Sequence, residues 1–283
     1  MTLRRRVIRA LDRPGGRALL GAVTGRLAQT GAPGVRVYFR RGMWVHRQRE
    51  IVFVDGPVLD YHPPIFHTWD NELDRRMADA EDYWFQLYRP RPGDVIIDAG
   101  AGRGEDTIAF SKAVGPAGRV IAIEAHPVTF GCLCLFCELN RLTNVTPVHA
   151  ALVDRAGPVA IESAEGWQTN RVAAPEAGGA ARVPGLTLDE LAERLNVSHI
   201  DFLKMNIEGA EGLAVRGMEK TLRVTGGLCI SCHDFRANAG QGEFLRTKEF
   251  VAEAVRGAGF TTVSRDADPR PYIADQVNAF RSS

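Results

Sequence analysis

From Asp94 onward the apolar positions fall into short runs that alternate with stretches of helical period. The runs at 95–98, 119–124, 145–152, 200–205 and 227–232 are dominated by Val, Ile, Leu and Ala, as expected of strands buried on both faces. Helical spacing between them predicts helices near 105–113, 127–140, 186–195, 209–222 and 243–257. Runs at 260–264 and 277–281 complete the set. Strand and helix in alternation predict an α/β fold: a seven-stranded, mostly parallel, Rossmann-like sheet with helices on both faces. Residues 154–185, rich in Gly, Ala and Pro, read as a loop with a short added strand at 159–163.

The start of the chain is patterned differently, dividing a basic extension (1–70) from the α/β domain (71–283). Leu3, Val7, Ile8 and Leu11 fall at helical spacing, as do Leu19, Leu20, Val23 and Leu27, and Pro14-Gly15-Gly16 separates the two sets. Residues 35–39 and 51–54 predict a small hairpin or added strands. His62-Pro63-Pro64 breaks the chain, and a helix over 71–88 is expected to turn Trp84 and Phe85 inward. Residues 1–49 hold 12 arginines against one acid, Asp12, whereas 51–90 hold eight acids against Arg75, Arg76 and Arg89. Two readings of the basic start stay open. It is an amphipathic segment that lays residues 1–30 on an anionic membrane, or a solvated cap or arm in a homodimer.

Net charge is +1 for the whole chain, which gives no field for a nucleic-acid partner. No apolar run approaches the ~20 residues that span a bilayer. The basic start also lacks the apolar core of a secretory signal. Five cysteines, an odd number, suit free thiols in a reducing cytoplasm. Cys132, Cys134 and Cys137 fall on a predicted helix, and Cys229 and Cys232 on a strand. Zinc ligands come in pairs presented by turns, so these read as buried thiols.

The most informative stretch is Val95-Ile96-Ile97-Asp98-Ala99-Gly100-Ala101-Gly102-Arg103-Gly104. It places an acid at a strand's carboxyl end and then a glycine turn, where only a bare backbone passes close under a ligand. A dinucleotide fold wants glycine three residues after Gly102, but position 105 is Glu105. That departure, and the lack of a lysine–tyrosine proton relay, disfavour a nicotinamide oxidoreductase. Glu124 ends the next strand, where a carboxylate can accept from both hydroxyls of a ribose. Thr107, at the start of the helix after the glycine turn, reaches the ligand or helps start that helix.

The spacing acid-x-Gly-x-Gly-x-Gly over 98–104 resembles motif I of S-adenosylmethionine-dependent methyltransferases. Thr187-Leu188-Asp189, Asp201, Lys204, Glu208, Gly209 and Glu211, in that order, resemble the hallmark of the FkbM family. The resemblance extends over about residues 85–283. It implies a class I methyltransferase fold, S-adenosyl-L-methionine as cofactor, and O-methylation of a hydroxyl on a sugar, glycolipid or secondary metabolite. It places Asp98, Gly100, Ala101, Gly102, Gly104, Thr107, Glu124, Ala125, His126, Ala151 and Asn206 at the cofactor. His233, after the fifth strand, is the candidate general base, with Asn206 and Glu208 beside it; Glu211 reads as structural. Trp167, Asn170, Arg171 and Asp234 are expected at the small-molecule or glycolipid acceptor. Where the family carries aspartate, this chain has Asn206, a weak uncharged ligand for a hard cation, so a divalent metal is disfavoured. A non-catalytic adaptor that binds cofactor or membrane is the competing reading.

Overall fold

The structure is a computed structural model that describes residue 8 and residues 10–29, 34–58, 72–162, 171–173 (backbone) and 181–281. In chain order the elements are α1 (Arg17–Gln29), β1 (Arg36–Arg40), β2 (Met43–Gln48), β3 (Ile51–Gly56), α2 (Glu72–Tyr83), β4 (Val95–Ala99), α3 (Glu105–Val114), β5 (Arg119–Glu124), α4 (Pro127–Leu139), β6 (Val145–His149), β7 (Ala151–Leu152), β8 (Gly157–Glu162), β9 (Arg171–Ala173), β10 (Ala181–Leu186), α5 (Leu188–Arg194), β11 (Ile200–Met205), α6 (Glu211–Arg216), α7 (Glu219–Arg223), β12 (Thr225–Ser231), α8 (Asp234–Asn238), α9 (Lys248–Gly257), β13 (Thr261–Val263), α10 (Pro271–Ala274) and β14 (Gln276–Phe280).

Seven strands form the central sheet in the order β13-β14-β12-β11-β4-β5-β6, parallel except where β14 runs antiparallel to both its neighbours. This is the predicted sheet. Its strand order reverses beside β4, so a crevice opens at the carboxyl ends of β4, β5 and β11. The register sets Asp98 of β4 directly opposite Lys204 of β11. One face packs Leu203, Met205, Ile230 and Val251 into the largest apolar cluster, and the other packs Phe85, Phe110 and Phe202 beneath α2 and α3.

Several boundaries differ from the expected ones. The run at 145–152 is not one strand: β6 stops at His149, and Ala151-Leu152 leaves the central sheet to pair with Gly185-Leu186 of β10. β10 also pairs with β8, and β8 with β9, so part of the expected loop is a second, four-stranded sheet. The helix expected at 209–222 breaks into α6 and α7. Gly217 sits where a Cβ would lie 2.2 Å from the Val153 carbonyl oxygen, so the chain turns there against β7's exit. The helix expected over 71–88 stops at Tyr83, and the one expected at 243–257 starts only at Lys248, after a 3₁₀ turn.

The N-terminal hairpin is a three-stranded antiparallel sheet, β1-β2-β3. Val45, Ile51, Val52 and Phe53 share one apolar cluster with Cys132, Leu133, Phe136 and Cys137 of α4. Asn140 at the end of α4 both accepts from Val52 N (2.8 Å) and donates to Val52 O (2.7 Å). Cys132 and Cys137 therefore serve as core side chains, whereas Cys134 is only half-buried, and burial pushes the Cys132 and Cys137 thiols up to about 12.

Helix α1 is turned differently from its pattern. It buries Leu20, Gly21, Thr24 and Gly25 against β1, because a Cβ on Gly21 would meet the Val37 carbonyl oxygen at 2.7 Å and the bare backbone allows that approach. Leu19 (58%), Val23 (46%) and Leu27 (49%) are left exposed as a stripe at i, i+4 and i+8. Leu3 and Val7 lie outside the described residues. No helix among those described is long and apolar enough to cross a membrane.

Candidate active site

A cleft of about 740 Å³ opens at the carboxyl ends of β4, β5 and β11. The glycine turn after β4 forms its floor. Gly100 (φ 74°) and Gly102 (φ 58°) both take the left-handed conformation that side chains disfavour. At Gly100 a Cβ would lie 1.9 Å from the Asn206 carbonyl oxygen, so the turn and the end of β11 touch backbone to backbone. Gly100 N and Ala101 N both donate to Ile123 O, which ties the turn to β5 as well.

Glu124 reaches from the tip of β5 under this turn. Its Oε2 accepts from Gly102 N (2.9 Å) and its Oε1 from His126 N (2.8 Å). Burial raises its pKa, the two backbone N–H groups pull it down, and the balance lies at about 7. Ala125, His126, Ala150, Ala151 and Ile161 continue the wall from Glu124. His126 caps α4 by accepting from Thr129 N. Behind it His149 stacks on Phe130 at 4.7 Å and donates its Nε2–H to the Ala125 carbonyl (3.0 Å).

At the far end of the cleft, the loop after β12 carries His233. It is buried, with Nδ1 3.1 Å from Glu211 Oε1 and Nε2 3.4 Å from Glu208 Oε1. Glu211 is fully buried and also accepts from Ile207 N, Gly209 N and Thr247 Oγ1. Glu208 is held in the left-handed region (φ 55°) and pairs with Arg236 of α8. Burial works against an imidazolium, but the bonds to Glu208 and Glu211 outweigh it and push the pKa to about 9. At neutral pH His233 is therefore a cation between two carboxylates.

Of the expected cofactor residues, the structure brings Gly100, Ala101, Gly102, Glu124, Ala125, His126, Ala151 and Asn206 to the cleft wall. Asp98, Gly104 and Thr107 are not on it. Asp98 is wholly buried beneath the turn, where its carboxylate accepts from Lys204 Nζ (2.8 Å) and Thr107 Oγ1 (2.6 Å). Lys204, from the facing register position, also donates to Gly100 O (2.9 Å). Burial disfavours its charge, yet Asp98 and Asp106 outweigh that and raise its pKa. Asp98, Thr107 and Lys204 thus shape the turn from below. Gly104 packs on α4 instead, with its Cβ position 2.6 Å from the Phe136 ring.

Asp234 also turns away from the cleft. Its Oδ1 accepts from Thr247 N (2.9 Å) and Lys248 N (3.0 Å), which anchors the start of α9. Trp167 and Asn170 lie outside the described residues, as does the side chain of Arg171. Sequence reasoning missed Arg76, Tyr83 and Trp84 from α2 and its end, Glu105 and Asp106 from α3, and Tyr272, Ile273 and Gln276 from the C-terminal segment. Only the two acids carried a local signal, their place straight after the glycine turn. The rest reach the cleft through tertiary packing.

A doubly wound sheet with a glycine turn at its switch point, an acid at the tip of the next strand and one antiparallel strand near the edge defines a class I S-adenosylmethionine-dependent methyltransferase. The sequence profile of the Methyltransferase FkbM domain matches residues 98–260, more than half of the chain. The chain belongs to the FkbM methyltransferase family.

Among solved structures, it is similar to methyltransferase FkbM from Methylobacillus flagellatus KT. The identity is 15%, the TM-score 0.49, and the match covers 69% of this chain and 45% of that one. Aeropyrum pernix fibrillarin, solved in complex with S-adenosyl-L-methionine, matches at 15% identity with a TM-score of 0.41 over 87% of this chain and 97% of its own. A curated relative, the tRNA (adenine(58)-N(1))-methyltransferase catalytic subunit TRM61 of Yarrowia lipolytica (strain CLIB 122 / E 150), is 37% identical over 67 residues. Those residues are 24% of this chain and 17% of TRM61. The chain thus spans less than half of the Methylobacillus protein and a small part of TRM61.

The cleft suits the cofactor of this class. Gly100 and Gly102 leave room beside bare backbone, and Glu124 presents a carboxylate for a ribose diol. Asn206 Oδ1 is buried with no hydrogen-bond partner among the described residues, so a donor group can be received there. Among those residues no group of three or more His, Cys, Asp or Glu is arranged to hold a metal ion.

Proposed function

We propose that the protein transfers the methyl group of S-adenosyl-L-methionine to a hydroxyl oxygen of a sugar, glycolipid or secondary metabolite. The observation that carries this reading is His233, oriented by buried Glu211 at the far end of a cleft whose near end suits an adenosyl group. When bound, the cofactor supplies an electrophilic methyl on a sulfonium and leaves as a neutral thioether. Glu211 holds the Nδ1 side of His233, so once the imidazolium loses its proton, Nε2 becomes the acceptor. Nε2 then takes the acceptor hydroxyl's proton as the new O–C bond forms, work worth about 10²–10⁴-fold in rate. Glu208, fixed by Arg236, orients that hydroxyl. Gln241, Gln276, Tyr83 and Tyr272 also line the cleft and provide the mixed polar and aromatic surface that a hydroxylated acceptor needs.

The test is incubation with methyl-labelled cofactor and fractionated extracts of the source cell, followed by identification of the product. Label on oxygen of a small hydroxylated molecule supports the proposal; label on nitrogen, carbon or RNA overturns it.

Glu124 yields a second expectation. Its ionised form is the one that accepts from both ribose hydroxyls, so cofactor affinity should rise with pH through about 7, the value at which it loses its proton. Glu124→Gln, a neutral stand-in, should weaken binding by about 10-fold or more and flatten this pH dependence. Isothermal titration on either side of neutrality checks both.

The exposed Leu19-Val23-Leu27 stripe, with exposed Arg13 and Arg26 nearby, supports peripheral contact of α1 with an anionic membrane. Cosedimentation with phosphatidylserine vesicles but not phosphatidylcholine vesicles is expected, and Leu19→Asp with Val23→Asp should abolish it. Absence of any cosedimentation refutes the contact. A concentration-dependent dimer lost in the same variant would assign the stripe to a second copy instead.

A further inference from the structure

The family profile begins at residue 98, yet one end of the cleft is built from a helix upstream of it. Arg76 of α2 lines the cleft together with Trp84, Glu105 and Asp106 of α3 and Lys204 of β11. Arg76 bonds Glu72 through Nε (3.0 Å), and among the described residues neither of its Nη atoms is so engaged. Guanidinium has five N–H donors in a planar fork matched to a carboxylate, so most of that capacity is still open. Lys204, by contrast, already donates to Asp98 and Gly100 O.

The acids next to Arg76 have the opposite need. Glu105 and Asp106 both border the cleft, and burial raises the pKa of each. The Arg76 and Lys204 charges oppose that rise at Asp106, with Lys204 the larger. Bringing a further cation close to these carboxylates favours their charged form. Asp106 Oδ2 lies 3.8 Å from Lys204 Nζ, and a guanidinium with open donors thus shares the cleft lining with these two acids. A zwitterionic amino-acid group, carrying one carboxylate and one ammonium, complements such a pair; a nucleoside alone does not.

We propose that Arg76 binds the carboxylate of the cofactor's methionine portion and that Asp106, with Glu105, receives its ammonium. The inference rests on S-adenosyl-L-methionine being the bound donor. It gives a positioning role to an element outside the matched domain, since holding the amino-acid end fixes where the sulfonium can sit.

The test compares two ligands that share an adenosine thioether but differ in this group. S-adenosylhomocysteine carries the amino-acid portion, and 5′-methylthioadenosine lacks it. Wild-type protein should prefer S-adenosylhomocysteine, and Arg76→Ala should shrink that preference by about 10- to 100-fold, the worth of charge-assisted hydrogen bonds. Affinity for 5′-methylthioadenosine should be unchanged in the variant, which also shows that the cleft is intact. Arg76→Lys should fall between the two, and Asp106→Asn should shrink the same preference.

An Arg76→Ala protein with the wild-type preference overturns the inference, as does one that loses affinity for both ligands equally. Failure of the wild type to bind either ligand removes the donor reading itself, and the inference with it.

Discussion

His233→Ala is expected to lower kcat by about 10²–10⁴-fold while leaving the affinity for S-adenosyl-L-methionine within about twofold. The separation follows from position: His233 stands with Glu208 and Arg236, whereas the glycine turn and Glu124 occupy the other end of the cleft. The pH profile carries the sharper signature. Glu208 and Glu211 hold the imidazolium to about pH 9, so kcat/KM for the wild type should climb about tenfold per pH unit through neutrality and level off near 9. A sulfonium bound in the same cleft is a like charge and disfavours the imidazolium. The pKa seen in kcat, which reports the loaded enzyme, should therefore lie below the one seen in kcat/KM. A flat profile with near-normal turnover in His233→Ala would remove the base from the mechanism and leave only positioning.

The same shift links to stability. The folded pKa of His233 lies above its ordinary value of 6.5, so the imidazolium's contribution is fully present below pH 6.5 and is lost as pH rises through about 9. The difference amounts to about 3 kcal/mol, read as the change in urea unfolding free energy across that window. His233→Ala should lose that dependence.

How far the sequence reveals this molecule depends on which forces set each feature. The central sheet is legible because a strand buried on both faces must be apolar throughout, and its helices must carry a 3.6-residue stripe. The glycine turn is legible because its backbone demands positive φ at Gly100 and Gly102. Asp98 misleads for a physical reason. In a parallel pair the register decides what an acid faces, and here it faces Lys204, a residue 106 positions away. The acid is consumed in holding the turn. Asp234 misleads similarly, because nothing in its neighbourhood along the chain tells that the start of α9 folds back onto it. In α1 Leu19, Val23 and Leu27 point outward while Leu20 is buried, since the close approach of Gly21 to β1 outweighs the pattern of bulk that periodicity measures. Arg76, Trp84 and Gln276 are placed by packing between distant segments, and no spacing signals them.

Gly100→Ala should destroy cofactor binding outright and destabilise the fold by about 3 kcal/mol or more. Two costs add. At φ 74° an alanine occupies the left-handed region, which costs about 1–2 kcal/mol by itself. Its Cβ would then stand 1.9 Å from the Asn206 carbonyl oxygen and 2.8 Å from its carbonyl carbon, and neither is the end of a flexible side chain. Relief requires the turn and the end of β11 to part. That strains the bonds Gly100 N→Ile123 O (2.9 Å) and Asn206 N→Ala99 O (3.0 Å), together with the Lys204 bond to Gly100 O. The first ties the turn to β5 and the other two tie it to β11, so the cleft loses its floor as β4 separates from both. Differential scanning calorimetry and cofactor titration measure the two effects separately. The substitution at Gly93 supplies the control: that glycine also has positive φ (100°), but a Cβ there meets nothing within 4 Å. Gly93→Ala should therefore cost only the backbone term, about 1–2 kcal/mol, with cofactor affinity intact. Equal losses in the two variants would mean that conformational strain alone, rather than contact between the turn and β11, keeps position 100 glycine.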